Sequence, residues 1–219
     1  MTRVMIAVLS VAALAVPAHA AFDMFLQIDG IPGESTTPGH EAWIDVVGFS
    51  IDVTRTELDG GANGTPPVVD VSTFGLVKRL DKASPMLALS VIQGGLLPGA
   101  TLEIAEVAGT RNVIADWQLQ DVVVSSFSSG GSLGEPLPME EVSFAFGGIA
   151  YGYNEYDQAG NRTGRVEASW DLVNGTTSLT TEGTVGGFRF ITDVHTPEPA
   201  TLSLLALGGL GVLVRRRRQ

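Results

Sequence analysis

Three histidines and no cysteine limit the chemistry open to this chain. Thiol nucleophiles, thiolate metal ligands and disulfides are excluded by composition. His19 lies in the N-terminal apolar segment and His195 beside the C-terminal one. That leaves His40, in the loop STTPGHEAW, as the sole imidazole of the central body. One imidazole with no G-x-S-x-G or H-E-x-x-H segment is a poor basis for a catalytic triad or a zinc site. His40 is therefore expected on the surface of a loop.

The other candidates read as ordinary structure. GGLLPGAT (Gly94 to Thr101) has phosphate-loop glycine spacing, but Ala100 stands where the lysine should be and the segment follows a helix, so it reads as a helix stop and a turn. Glu140 and Glu141 could do acid–base work as a pair, but neighbours on a strand point to opposite faces, and solvated charge is the better reading. Asp157 to Asn161 (DQAGN) offers oxygens to calcium without the spaced acidic ligands of a calcium loop and reads as a turn. Asn63, Asn161 and Asn174 each open a glycosylation sequon, a short motif that recurs by chance. Phe144, Phe146, Tyr151 and Tyr153 alternate along a strand. They could line a sugar-binding face, though strand packing is the commoner use. No metal and no cofactor is expected.

The elements that must position these residues are mostly strands, because period-two alternation dominates the body. Strands are expected over Phe22 to Ile28, Trp43 to Val53, Val68 to Val77, Ala100 to Val107, Asn112 to Phe127, Glu140 to Tyr156, Gly164 to Val173 and Thr184 to Ile191. In the second of these, Val47, Phe49, Ile51 and Val53 share one face. Thr54 to Pro67 is rich in Gly, Pro and Asn and reads as a long projecting loop. SPMLALSVIQGG is the one helix candidate, with Ser84 as cap, Pro85 in the first turn, Gly94 as stop, and Met86, Leu89 and Ile92 as its apolar edge. One antiparallel β domain results, its small helix covering an open end of a barrel or sandwich.

The two ends speak of export. Arg3, the apolar stretch Val4 to Val16 and the small-x-small site Ala18-His19-Ala20 make a secretory signal peptide, cleaved after Ala20. At the other end, Leu202 to Val214 is an apolar run of 13 residues, followed by Arg215, Arg216, Arg217 and Arg218. The arginines mark the cytoplasmic side. Thirteen helical residues span roughly 20 Å of a roughly 30 Å hydrocarbon core; counting from Pro199 to Arg216 gives roughly 27 Å, a marginal span suited to a transient hold. Between the ends, 8 basic and 23 acidic residues leave a balance of −15, against −11 for the whole chain. So acidic a surface repels phosphate backbones, and no nucleic-acid partner is expected.

Three segments carry a family resemblance. AFDMFLQIDGIPGESTTPGHEAWIDVVGFS (Ala21 to Ser50), LVKRLDKASPMLA (Leu76 to Ala88), and DWQLQDVVVSSFSSGG with the following EPLPMEEVSFAFGGIAYGYNEYDQAGNRTG resemble, in order, the Hcp family, the tube proteins of bacterial type VI secretion. The resemblance implies a mainly β fold, a barrel of two antiparallel sheets with one short α-helix at its side, and no enzymatic activity in the core domain. It also implies self-association into hexameric rings that stack through the long loop, here Thr54, Arg55, Glu57, Asp59 and Asn63. The tail TPEPATLSLLALGGLGVLVRRRRQ, with Pro197-Glu198-Pro199 ahead of the apolar run, resembles the PEP-CTERM sorting signal, which implies recognition by an exosortase.

The organisation expected is therefore a signal peptide (1–20), an Hcp-like barrel domain (21–176), a last strand and linker (177–196) and a sorting signal made of a short transmembrane helix and an arginine cluster (197–219). The general secretion machinery and an exosortase would handle the chain, with a transient inner-membrane tether and then the cell surface or matrix as its destination. The function expected is that of an exported, non-enzymatic, ring-forming structural protein. The alternatives are a type VI tube component or effector carrier, and a carbohydrate-binding module using Tyr151, Tyr153 or Trp170.

Overall fold

The computed structural model describes residues 22–56, 68–107 and 111–183. Within them eleven strands and one helix follow one another as β1 (Phe22–Ile28), β2 (Ile44–Ser50), β3 (Val53–Thr56), β4 (Val68–Val71), β5 (Phe74–Arg79), α1 (Ser84–Gln93), β6 (Leu96–Glu106), β7 (Val113–Gly130), β8 (Met139–Ala145), β9 (Gly148–Tyr156), β10 (Arg162–Asp171) and β11 (Thr176–Gly183).

A single antiparallel sheet in the order β11-β10-β9-β7-β6-β1-β2-β5-β8 closes on itself where β8 returns to β7. Six strands thus form a closed barrel, and β9, β10 and β11 leave it as a wing. The barrel that the resemblance implies is present, but its strands form one continuous sheet where two antiparallel sheets were expected. The long strand β7 makes the branching possible. Its first half, Ala115 to Gln120, pairs with β9. Its second half, Val123 to Gly130, pairs with β8. Between the halves Asp121 takes φ 52° and a bulge lies between Val124 and Ser126, so the strand bends as it changes partners. The ribbon β3–β4 stands apart as a two-stranded sheet.

Inside the barrel, Leu26, Ile44, Phe74, Leu102, Val122, Val142 and Phe144 are buried to 1 % exposure or less. Ala83 and Leu87 from the helix complete that core. The helix keeps the bounds expected of it, but not its orientation. Ala83, Leu87 and Val91, one turn apart, face the core, whereas Met86, Leu89 and Ile92 are 40 %, 49 % and 82 % exposed. The apolar positions fit both faces, and periodicity alone could not choose. Nor is Ser84 the cap: Ala83 holds that position, and the Ser84 hydroxyl turns inward to Glu140. Gly94, at φ 63°, donates its N–H to the Ser90 carbonyl and ends the helix as expected.

Other strands depart from the alternation in readable ways. In β2 a register shift between Val46 and Gly48 swaps the faces, so Val46 and Phe49 pack inward while Val47 is 49 % exposed. Leu96 to Gly99, expected as a turn, opens β6. Pro98 is accommodated because β1 pairs only as far as Ala100. The segment expected as one strand from Glu140 to Tyr156 breaks at Phe146 and Gly147 into β8 and β9, and the segment from Val68 to Val77 breaks at Ser72 and Thr73 into β4 and β5. The strand expected over 184–191 lies outside the described residues.

Candidate functional site

Strand pairing gathers polar side chains onto the outer face of the wing and its junction with the barrel. Asp116 on β7 lies opposite Gly152 on β9, which lies opposite Glu167 on β10. The Arg165 guanidinium reaches across this line. Its Nη1 donates to Asp116 Oδ1 at 2.6 Å and its Nη2 to Asp116 Oδ2 at 2.9 Å. Nη2 also donates to Glu167 Oε2 at 2.6 Å, and Nη1 to Asn154 Oδ1 at 3.1 Å. Gly152 is what lets it pass, because a Cβ there would collide with the guanidinium. Burial pushes the Asp116 carboxyl up, but the hydrogen bonds and charge of Arg165, with Gln118, outweigh burial and hold it below its ordinary value. Asp116 in turn holds Arg165 above its own. Nearby, burial raises the Tyr156 phenol, whose hydroxyl donates to the Val113 carbonyl at 2.9 Å.

His40 belongs to the same face. It is 4 % exposed, not the surface residue expected, because the loop that carries it folds down over β1. Its ring stacks on Phe25 at 4.2 Å and meets Trp43 edge-on at 4.9 Å. Nε2 lies 2.7 Å from Glu103 Oε2, and Nδ1 is buried without a partner. Through Nε2 the ring clamps the loop to the strand that carries Glu103.

A third polar group sits inside. Lys78 and Glu140, cross-strand neighbours on β5 and β8, are 0 % and 1 % exposed. Lys78 Nζ donates to Glu140 Oε2 at 2.7 Å, to the Arg79 carbonyl at 2.8 Å and to Ser84 Oγ at 3.0 Å, and pairs with Asp81 Oδ1 at 2.7 Å. Glu140 also accepts from Ser84 and Ser129. The solvated charge expected at Glu140 is therefore a buried tie between barrel and helix start, while Glu141 is exposed as expected of its opposite face.

The inward side of the wing is aromatic. Phe74, Phe49, Trp117 and Tyr151 follow one another at centroid separations of 5.9, 4.6 and 4.5 Å, a ladder from the core to the surface. At its outer end Tyr151 and Tyr153 are 40 % and 46 % exposed, and Trp170 on the same face packs against the core edge. Phe144, by contrast, is wholly buried.

Among the described residues the buried charges Lys78, Glu140 and Asp116 each have an oppositely charged partner. Among the described residues no three His, Asp or Glu side chains converge as metal ligands, and no helix is long and apolar enough to cross a membrane. The loop Asp157 to Asn161 is a turn closed on the Asp157 carboxylate, which accepts from the Ala159 and Asn161 amides. Of the loop residues singled out for stacking, Thr54 and Arg55 lie exposed on β3, paired with Asp70 and Val69. Glu57, Asp59 and Asn63 lie outside the described residues. So do Ala18 and Ala20, Pro197, Glu198 and Pro199, and Arg215 to Arg218. Sequence reasoning missed Lys78 and the Arg165 group. For Lys78 the signal existed: in FGLVK it continues the buried series Phe74, Leu76.

Comparison with known proteins agrees with this architecture. The family model described as type VI secretion system effector, Hcp, matches residues 25–153. A second, described as a PEP-CTERM protein-sorting motif, matches residues 195–218. Protein hcp1 of Pseudomonas aeruginosa is 31 % identical over 155 residues, which cover 69 % of this chain and 96 % of that protein. A solved structure described as a type six secretion system protein superposes with a TM-score of 0.65 at 31 % identity, over 72 % of this chain and 99 % of the other. Hcp1 from Salmonella typhimurium gives 0.60 at 26 % identity, over 72 % and 99 %.

Proposed function

This chain belongs to the Hcp family of type VI secretion proteins and carries a PEP-CTERM sorting motif, and on that premise we propose that it is an exported, non-enzymatic structural protein that self-assembles into rings outside the cytoplasm. The observation that carries the assembly is the wing. The barrel is closed and has no edge to offer, but the wing presents a half-exposed apolar face and, among the described residues, β11 as an outermost strand. A monomer gains nothing from such a surface, and a second copy covers it. The long loop, with Thr54 and Arg55 at its base, would then contact the next ring.

The two ends set the destination. The signal peptide directs the chain through the general secretion machinery. The PEP-CTERM segment holds it briefly at the inner membrane for an exosortase, which releases it to the cell surface or matrix. Intact-mass measurement of protein recovered from the cell exterior tests this: the reading expects a chain that begins at Ala21 and ends near Pro199. A cytoplasmic chain retaining both Arg3 and Arg218 overturns it.

The exposure of Tyr151 and Tyr153 on one face keeps a carbohydrate-binding role as a second reading, since adjacent exposed rings are what a sugar stacks on. Glycan binding lost on Tyr151→Ala, with particle mass unchanged, would favour it over self-assembly.

A further inference from the structure

The turn that joins β10 to β11 holds a reactive pair. Asp171 faces Thr176 across the hairpin, and Leu172, Val173, Asn174 and Gly175 close it. Asn174 is exposed, and Gly175 follows it with φ 65° and no side chain to crowd its nitrogen. Among the described residues the Gly175 amide N–H has no protein acceptor. An asparagine side-chain carbonyl carbon thus stands beside an unengaged backbone nitrogen, the arrangement from which a five-membered imide closes. Of the other described asparagines, Asn112, Asn154 and Asn161 precede Val113, Glu155 and Arg162, whose side chains obstruct that closure, and Asn154 is buried besides.

The shape of the turn depends on this asparagine. Asp171 Oδ1 accepts from the Val173 and Asn174 backbone N–H groups at 2.9 Å each, and Oδ2 accepts from Asn174 Nδ2 at 2.6 Å. The Asn174 side chain, ahead of the backbone, holds the Asp171 carboxyl below its ordinary value. A carboxylate in place of that amide sets an acceptor of like charge against Asp171 where a donor stood. β11 has the most to lose, because among the described residues β10 is its only partner.

We propose that Asn174–Gly175 is a self-modification site, where loss of ammonia from Asn174 turns the hairpin into aspartate and isoaspartate forms and loosens β11. In the step the Gly175 nitrogen bonds to Asn174 Cγ, the Cγ–Nδ2 bond breaks, and ammonia leaves with the proton of the Gly175 N–H. Water then opens the imide. Opening at Cγ leaves aspartate. Opening at the Asn174 backbone carbonyl leaves isoaspartate, whose main chain runs through Cγ and is one carbon longer than the turn accommodates. The step needs no enzyme, oxidant or cofactor, and the departing ammonia gives it one direction. The hairpin therefore records the age of each chain. The attacking nitrogen must shed its proton, so the rate rises with pH.

To test this, the purified chain is held at physiological temperature in mildly acidic and mildly alkaline buffer and then digested with trypsin, with fresh protein as the baseline. Cleavage after Arg165 and Arg189 releases residues 166–189, in which Asn174 is the one asparagine. This peptide is expected to give two new species of equal mass, about 1 Da heavier than the parent, at least about threefold faster in the alkaline buffer. Asn174→Gln, which needs a six-membered ring for the same attack, is expected to leave the peptide unchanged over that time. Asn174→Asp supplies the aspartate product directly, and circular dichroism verifies its fold. In it, amide hydrogen exchange along β11 is expected to rise at least about threefold. A wild-type peptide that stays unchanged while a synthetic peptide of the same sequence converts overturns the proposal, as does equal conversion in Asn174→Gln. Unchanged exchange in Asn174→Asp overturns the loosening of β11.

Discussion

Lys78→Met removes one partner of a buried ion pair and leaves Glu140, 1 % exposed, facing an apolar methionine. Three protein contacts of the ammonium vanish with it, to the Arg79 carbonyl, Ser84 Oγ and Asp81 Oδ1. Ser84 and Ser129 still donate to Glu140, so its carboxylate is not wholly bare. An uncompensated buried charge costs about 3–5 kcal/mol, and the two hydroxyl donors place the expected loss at the lower end, about 3 kcal/mol. With a urea m-value of about 2 kcal/mol/M, the unfolding midpoint falls by about 1.5 M. The double change Lys78→Met with Glu140→Leu removes both charges and is expected to recover at least half of that loss, because an apolar pair of similar volume can replace a buried ion pair at little net cost. Urea titration followed by tryptophan fluorescence reads all three midpoints. If Lys78→Met shifts the midpoint by less than about 0.5 M, or the double change is worse than the single one, the pair is not the tie between barrel and helix argued here.

Gly152→Ala forces the Arg165 guanidinium off Asp116 and should destabilise by about 2 kcal/mol, the range for lost charge-assisted hydrogen bonds; Gly48→Ala, with open space at its Cβ, is the control that should change far less. The pH dependence of Asp116 has a fixed sign: its folded value lies below the ordinary 3.8, so its contribution is present above 3.8 and is lost as pH falls through the folded value. The stability gap between wild type and Asp116→Asn, read by thermal melts, should therefore hold at neutral pH and close on acidification below 3.8. For His40, packing against Phe25 and Trp43 outweighs the single hydrogen bond to Glu103, so His40→Phe should cost about 1 kcal/mol and His40→Ala about 3 kcal/mol in chemical denaturation.

How far the sequence carries depends on whether the deciding physics is local. β1 matches its expected bounds because FDMFLQI is ended by Asp29-Gly30, a local signal. The helix bounds follow from Pro85 and Gly94 for the same reason. The face the helix buries does not, because Met86, Leu89 and Ile92 are as apolar as Ala83, Leu87 and Val91, and only the barrel mouth chooses between them. The bulge after Val46 did leave a trace, because Gly48 stands alone inside the strand pattern and an isolated strand glycine marks a bulge. His40 was misplaced because loop burial is decided by a partner 63 residues away, Glu103. Closure of the barrel rests on β7 serving β9 with one half and β8 with the other, a branching that shows no trace in period-two alternation.

The central claim is that the body, once outside the cytoplasm, builds an assembly from copies of itself. The mass of the exported chain by native mass spectrometry, at the protein concentration found in the cell-surface fraction, tests it most directly. The account predicts one dominant closed species at an integral multiple of the protomer mass, six on the family resemblance. A monomer alone, or a continuous smear of sizes with no preferred multiple, contradicts it.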